Sequence, residues 1–306
     1  IMHSSDAVLS GGVRRSASLA LFSADDDEMA KAKTGNWYVD NPQRARSNNS
    51  ALLIKDDTTY EQFKLLMESV KEFGEPGFIW SDSTEMTFNP CVEVGMWPVD
   101  EKTSKSGWQG CNLSTINCSS VVDEEDFYER CKAAAVIGTL QAGFTALDYL
   151  GDISKAIFDR EALLGVSLTG IMEKHELVLT EKVLKKGAKI AVETNKELSK
   201  KIRINQAARV TCLKPEGTSS SMLGTSSGIH PHHAKRYIRH VQANVLEAPY
   251  QHFKSYNPQA CEKSAWSAND KVSFSVVKAP SLLICAFHLS AVLYVFCTAV
   301  VAAVAL

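Results

Sequence analysis

Phe88-Asn89-Pro90-Cys91-Val92-Glu93 is the stretch on which the reading of this 306-residue chain turns. Pro90 fixes its own φ and biases Asn89 away from the helical region, which predicts an extended segment. Alternate side chains of an extended segment share a face, so Asn89, Cys91 and Glu93 would point the same way. They would offer an amide that donates and accepts, a thiol, and a carboxylate able to act as a base. A buried structural cysteine in a short strand with two polar neighbours is the competing reading of the same six residues, because free cysteines are commonly buried.

Composition narrows the classes. With 33 basic against 35 acidic residues the chain has no electrostatic footprint for nucleic acid, so any phosphate it binds belongs to a small molecule. Its 45% hydrophobic content suits a soluble protein with a real core. Eight cysteines with no CxxC pair fit neither a disulfide scaffold nor a zinc ribbon and point to a reducing cytoplasm. The start, Ile1-Met2-His3-Ser4-Ser5-Asp6, is no secretory signal and reads like the middle of a protein. Ser281 to Leu306 is almost wholly apolar, without Lys, Arg, Asp or Glu, and long enough to cross a bilayer.

Outward from the central stretch, Gly11-Gly12-Val13-Arg14-Arg15 is a glycine turn with two cations able to hold a phosphate or a carboxylate. Asp25 to Glu28 should open a helix. Ser47-Asn48-Asn49-Ser50 reads as a polar loop entering a short strand, Ala51 to Ile54, and its amides could reach a hydroxyl-rich ligand. Tyr60 to Phe73 has helical spacing, stopped by Gly74, Pro76 and Gly77, with Phe78 to Trp80 following as a strand. Cys111, Leu113 and Thr115 alternate with Asn112, Ser114 and Ile116, so Cys111 could face Cys91, whereas Cys118 and Cys131 read as packing residues. A helix from about Asp123 to Leu150, uncharged between Ala133 and Leu147, should be surrounded by protein. Leu163 to Leu168 is a strand, Glu181 to Lys201 a helix with a solvated lysine face, and Ala207 to Leu213 a further strand.

That last strand delivers Lys214-Pro215-Glu216-Gly217-Thr218-Ser219-Ser220-Ser221. Glycine and hydroxyl residues with free N–H groups at a helix start suit a phosphate, although the order is neither a Walker A loop nor a dinucleotide fingerprint. His230, His232 and His233 lack the spacing of a metal set, and no metal is expected. Arg236 and Arg239, one helical turn apart, would pair with acids or an anion.

Taken in order, Asn89-Pro90-Cys91-Val92-Glu93, Gly110-Cys111-Asn112-Leu113-Ser114 and Lys214 to Ser220 resemble the catalytic half of a ribonucleotide reductase. Ser10 to Ala17 and Gly224 to His240 resemble its adenosylcobalamin-dependent, class II branch, in particular the monomeric ribonucleoside-triphosphate reductases. The resemblance implies an α/β fold: part, mainly the second half, of a ten-stranded α/β barrel with a central finger loop carrying Cys91. It implies adenosylcobalamin as cofactor and a thiyl radical at Cys91, with Glu93 as base, Asn89 holding the 2′-hydroxyl and Cys111 delivering reducing electrons. Gly217, Thr218, Ser219, Ser220 and Ser221 would hold the substrate phosphates, and Ser47, Asn48 and Asn49 could touch substrate. A ribonucleotide substrate, a deoxynucleotide effector and a thioredoxin-like reductant follow as partners, in the cytoplasm.

Two departures stand out. The family's second redox cysteine and its C-terminal cysteine pair have no match here, and a thiol donor without a partner cannot complete a two-electron exchange. The resemblance stops near Phe274, so 1–274 reads as a partial catalytic barrel and 275–306 as an apolar tail from a truncated or frame-shifted reading rather than a membrane anchor. A class I-type large-subunit fragment and a membrane-anchored, non-catalytic nucleotide-binding protein are the alternative readings.

Overall fold

Thr59 opens the longest helix of the amino-terminal region through a reciprocal cap: its hydroxyl accepts from Gln62 N–H while the Gln62 side chain accepts from Thr59 N–H. The helix, α1 (Tyr60–Phe73), ends at Gly74 in the left-handed conformation. In the computed structural model, which describes residues 1–5, 17–232, 234–263 and 270–278, the chain forms two units. The first comprises Ile1–Cys91 with Arg236–Lys278 and the second is built on Val92–Lys235. The Gly11 to Arg15 turn, His233 and the apolar tail lie outside the described residues, among which no helix is long and apolar enough to cross a membrane.

In the first unit β1 (Ser18–Ser23), β2 (Ser47–Ile54) and β3 (Gly77–Ser81) form a parallel sheet in that order, with α1 as the crossover between β2 and β3. Phe22, Ala51 and Leu53 are buried beneath Leu66 of α1, with Phe63 and Met67 alongside. Phe63 also meets the rings of Phe78 and Trp80 at 5.3 and 5.6 Å. The polar residues expected as a loop before Ala51 are part of β2, because Ser47 to Ser50 pair in register with β1 from Ser18 to Leu21. Asp27–Ala30 is a short helix capped by Asp26, as the acidic run predicts. The same unit holds an antiparallel sheet in which Asp270–Lys278 pairs with both Arg236–Asn244 and Cys261–Lys263. Arg236 and Arg239 are therefore strand residues, not one helical turn apart; Tyr237, Ile238 and Val241 favour the strand.

In the second unit β4 (Asn112–Asn117) and β5 (Leu164–Thr169) pair in parallel, Asn112 opposite Leu164. Ala207 to Leu213, expected as a strand, contributes one bridge, Thr211 to Val166, flanked by backbone hydrogen bonds from Leu164, Val166 and Cys212 N–H. Side chains take over at its ends: Ala207 N–H donates to Asn195 and Lys214 N–H to Ser167 Oγ. One face of this strip, with Ile116, Leu164 and Val166, packs on α2 (Glu124–Ala142) and α4 (Glu181–Ile202). Between β4 and α4 the chain also forms α3 (Gly151–Glu161).

The apolar run after Asp123 is shorter and less enclosed than its sequence suggests. Asp123 caps α2, which ends at Ala142 before Gly143, and Ile137, Leu140 and Phe144 are exposed. The covered residues are Phe127, Tyr128, Cys131, Ala134, Ala135, Gly138, Thr139 and Ala142. On α4 the five lysines at 182, 185, 186, 189 and 196 are all exposed, and the buried stripe runs Val183, Gly187, Ala191, Asn195, Ser199. Gly187 is required there, since a Cβ would stand 2.7 Å from the Phe127 ring.

Asn195 is 1% exposed and fully engaged: it donates to Thr139 Oγ1 at 3.0 Å and accepts from Ala207 N–H at 3.0 Å. Asn195→Ala strands that buried N–H and should lower unfolding stability by about 1–3 kcal/mol, read from chemical denaturation followed by circular dichroism. Asn195→Asp keeps the acceptor for Ala207 N–H but buries a carboxylate without a cation, so it should lose at least as much at neutral pH and recover part of the loss at acid pH, where the carboxyl is protonated.

Candidate functional site

Cys91 sits in a turn, not in an extended segment. Pro90 and Cys91 occupy turn positions, and Val92 has φ +67°, a left-handed conformation unfavourable for a β-branched residue. The expected alternation through Glu93 is broken at Val92. Pro90 dictates φ only for itself, and nothing in its neighbours' propensities announces a left-handed valine. Backbone strain of this kind persists where surrounding structure fixes it and clusters at functional sites.

Within the first unit the turn is tied to the parallel sheet. Asn48 Nδ2 donates to Pro90 O at 2.6 Å, and the Cys91 side chain is exposed. Asn48 lies on the β2 face of Ser50, Leu52 and Ile54, opposite the α1-covered face. Ser47 and Asn49 point the other way and are buried, Ser47 Oγ donating to Asn49 Oδ1 at 2.7 Å. Ser47 O accepts from the buried Lys33 ammonium, which also pairs with Glu75 at 2.7 Å. Of the three polar residues suggested as substrate contacts, the two serving that internal network are thus separated from Asn48. Asn89 and Cys91 belong to the first unit; Glu93, Cys111 and the Lys214 loop belong to the second.

In the second unit the strip's other face carries the chemistry. Leu113, Thr115, Gly165, Ser167 and Cys212 share it, and a Cβ on Gly165 would meet Leu113 Cδ2 at 2.3 Å and Cys212 Sγ at 2.9 Å. Lys214 Nζ donates to Glu93 Oε1 at 2.8 Å, with the Glu93 side chain fully buried and that of Lys214 23% exposed. Glu93 Oε2 has no hydrogen-bond partner among the described residues. Two residues beyond Lys214, the buried Glu216 adopts φ +57° and accepts from Thr115 Oγ1 at 2.5 Å and from Ser219 Oγ.

The glycine and hydroxyl stretch forms a helix of two turns, α5 (Gly217–Leu223). Thr218 is exposed, while Ser220 and Ser221 hydroxyls donate back to Gly217 O at 3.0 and 3.1 Å. Ser227 Oγ donates to Pro215 O at 2.7 Å, and Gly228 N–H donates to Thr169 Oγ1. His232 Nε2 is 3.1 Å from Glu173 Oε1, which also accepts Ser226 N–H.

Cys111, half-buried at the entry to β4, is close enough to Cys212 to influence it. The Cys212 thiol is pushed up to about 12, first by burial, then by the negative charge of Glu93, with Cys111 and Glu216 adding and Lys214 opposing. Cys212, Lys214 and Glu216 were not singled out as site residues by sequence. The signal lay in their spacing of two where a strand leaves the sheet, which places them on one face. Cys118 and Cys131 are buried in the helix-side core, and burial pushes both thiols up to about 12.

No family model matches the chain. It is 24% identical to the adenosylcobalamin-dependent ribonucleoside-triphosphate reductase of Lactobacillus leichmannii over 282 residues, covering 77% of this chain and 36% of that protein. The same-named protein of Levilactobacillus brevis is 27% identical, covering 77% and 35%, and a putative one from Mycobacterium phage D29 is 25% identical, covering 78% and 38%. The chain thus spans little more than a third of the length of these relatives. A crystal structure of a B12-dependent (class II) ribonucleotide reductase superposes with a TM-score of 0.58 at 19% identity, covering 85% of this chain and 40% of that one. The α/β organisation expected from sequence is thereby supported as a likeness of fold.

Exposure and thiol acidity together set an order of reactivity. Iodoacetamide at pH 8 should modify Cys91 first and leave Cys118, Cys131 and Cys212 unmodified until the chain is denatured, as mapped by peptide mass spectrometry.

Proposed function

We propose that the chain is the radical-cysteine and substrate portion of an adenosylcobalamin-dependent ribonucleoside-triphosphate reductase, built as part of a ten-stranded α/β barrel. The observation that carries the reading is the pairing of Glu93 with Lys214. It puts a buried carboxylate with one oxygen uncommitted on a motif two residues from an exposed thiol, at Cys91. The likeness to the relatives named above, each an adenosylcobalamin-dependent ribonucleoside-triphosphate reductase by name, supports it.

The proposed chemistry needs few groups. Cys91, as a thiyl, takes the 3′ hydrogen atom of the ribose, and Glu93 takes the 3′-hydroxyl proton. The 2′-hydroxyl, held by Asn89, takes a proton from one of two thiols, Cys111 and a second thiol, and leaves as water. Those two thiols then give two electrons and the remaining proton to the sugar at C2′ and become a disulfide, Glu93 returns its proton to the 3′ oxygen, and the hydrogen at C3′ returns from Cys91. The Gly217 to Ser221 segment, with Thr218 exposed at its start, is assigned to the substrate phosphates, and Asn48 to holding the Cys91 turn, while the buried Ser47 and Asn49 are assigned to the internal network of β2.

Adenosylcobalamin, when bound, supplies the radical that a thiol cannot make unaided. The chain fits that role at one point: the Cys91 sulfur is exposed on a turn and open to a reacting carbon. A deoxynucleotide effector, a thioredoxin-like reductant and a cytoplasmic setting complete the proposal.

The test is release of tritium from the 5′ carbon of adenosylcobalamin into water in the presence of a ribonucleoside triphosphate. A full-length reductase containing this chain should support release while the chain alone turns over little; in that protein Cys91→Ser should abolish release, and Glu93→Gln should retain it while forming no deoxynucleotide. Undiminished release by Cys91→Ser would overturn the assignment of the radical to this sulfur.

A further inference from the structure

The geometry points to Lys214 as the positioning residue that holds Glu93 as a charged, oriented carboxylate, rather than as a cation for substrate phosphate. This rests on the reading of Glu93 as the base, and concerns what keeps it competent. A fully buried carboxylate loses its charge unless a cation or several donors compensate for lost water. The Glu93 side chain is fully buried, and among the described residues Lys214 Nζ, at 2.8 Å from Oε1, is the partner that the side chain has. One oxygen is thereby fixed and the other, Oε2, is left without a hydrogen bond, as a base awaiting a proton requires.

The ammonium is not placed by its own flexible stem alone. Lys214 N–H is held by Ser167 Oγ at 3.0 Å, and the loop beyond is held by Glu216 through Thr115 of β4. Gly228 lies so close beneath that a Cβ there would stand 2.8 Å from Lys214 O and 3.1 Å from Pro215 O. The backbone carrying Lys214 is therefore braced from three sides, which limits where its ammonium can go. Here Nζ donates to the Glu93 carboxylate at 2.8 Å.

The experiment is isotope-edited infrared spectroscopy of the chain carrying 13C-carboxyl glutamate, with the Glu93 band identified by its loss in Glu93→Gln. In Lys214→Gln the ionised carboxylate band of Glu93 at neutral pH should fall and a protonated carbonyl band should replace it, with Lys214→Arg restoring the ionised band. An unchanged band in Lys214→Gln would overturn the inference, because a purely structural lysine would not set that signature. Inorganic triphosphate is the second probe: it should leave the wild-type Glu93 band in place, and a shift matching that of Lys214→Gln would make Lys214 a phosphate ligand and overturn the pairing. If Lys214→Gln alone does not fold, the Glu93→Gln, Lys214→Gln double variant should regain the fold by removing both charges, and its failure to do so would count against the pair. The bands report the pair whether or not the chain releases tritium from adenosylcobalamin, so this result and the failure of the proposed function are separable.

Discussion

A carboxylate withdrawn from water has to be matched by a cation, and the arrangement of the second unit follows from meeting that need at Glu93. Breaking such a buried pair by removing one partner costs about 3–5 kcal/mol in proteins generally. The cation arrives on a loop, so the loop must be rigid, and its supports come from the strands it leaves. Ser167 of β5 takes the backbone of Lys214, Thr115 of β4 takes Glu216, and Thr169 of β5 takes Gly228 N–H. Each support is a hydroxyl residue on the strip face that the helices leave open.

That division of faces is the second constraint. A strand presents alternate residues to opposite sides, so β4 and β5 can bury Ile116, Leu164 and Val166 under α2 and α4 while devoting Thr115 and Ser167 to the loop. Gly165 makes the polar side tight, admitting Leu113 and Cys212 against its backbone. The first unit applies the same device: β2 buries Ala51 and Leu53 under α1 and turns Asn48 to the Cys91 turn. In both units a side chain from the open face of a parallel strand ties down a segment bearing a reactive group.

Much of this was legible in the sequence because it depended on periodicity. Tyr60 to Phe73, Leu164 to Thr169 and Glu181 to Ile202 declare themselves by spacing and by caps such as Thr59 and Gly74. What escaped was whatever depends on tertiary partners. Val92 takes a left-handed φ that no local propensity favours, and the Ser47 to Ser50 polar run became strand because β1 was there to pair with it. Arg236 and Arg239 fell in a strand for the same reason, through pairing with Asp270–Lys278. The Lys214 ammonium and Glu93 are 121 residues apart, and no pattern within either motif predicts that they meet.

The separation of Lys214 and Glu216 by a single proline gives the loop two opposite charges on one side, each used on a different element. Lys214 takes the carboxylate of the Cys91-containing motif, and Glu216 takes β4, the strand that Cys111 leads into. Ser219, in the segment assigned to phosphate, also donates to Glu216. A ligand drawing on the Ser219 hydroxyl would therefore compete for the group that helps satisfy Glu216, and the loop would pass that change to Thr115 and, through the backbone, to Lys214. The Ser219–Glu216 and Lys214–Glu93 contacts therefore lie on one short loop and share its backbone between Lys214 and Glu216.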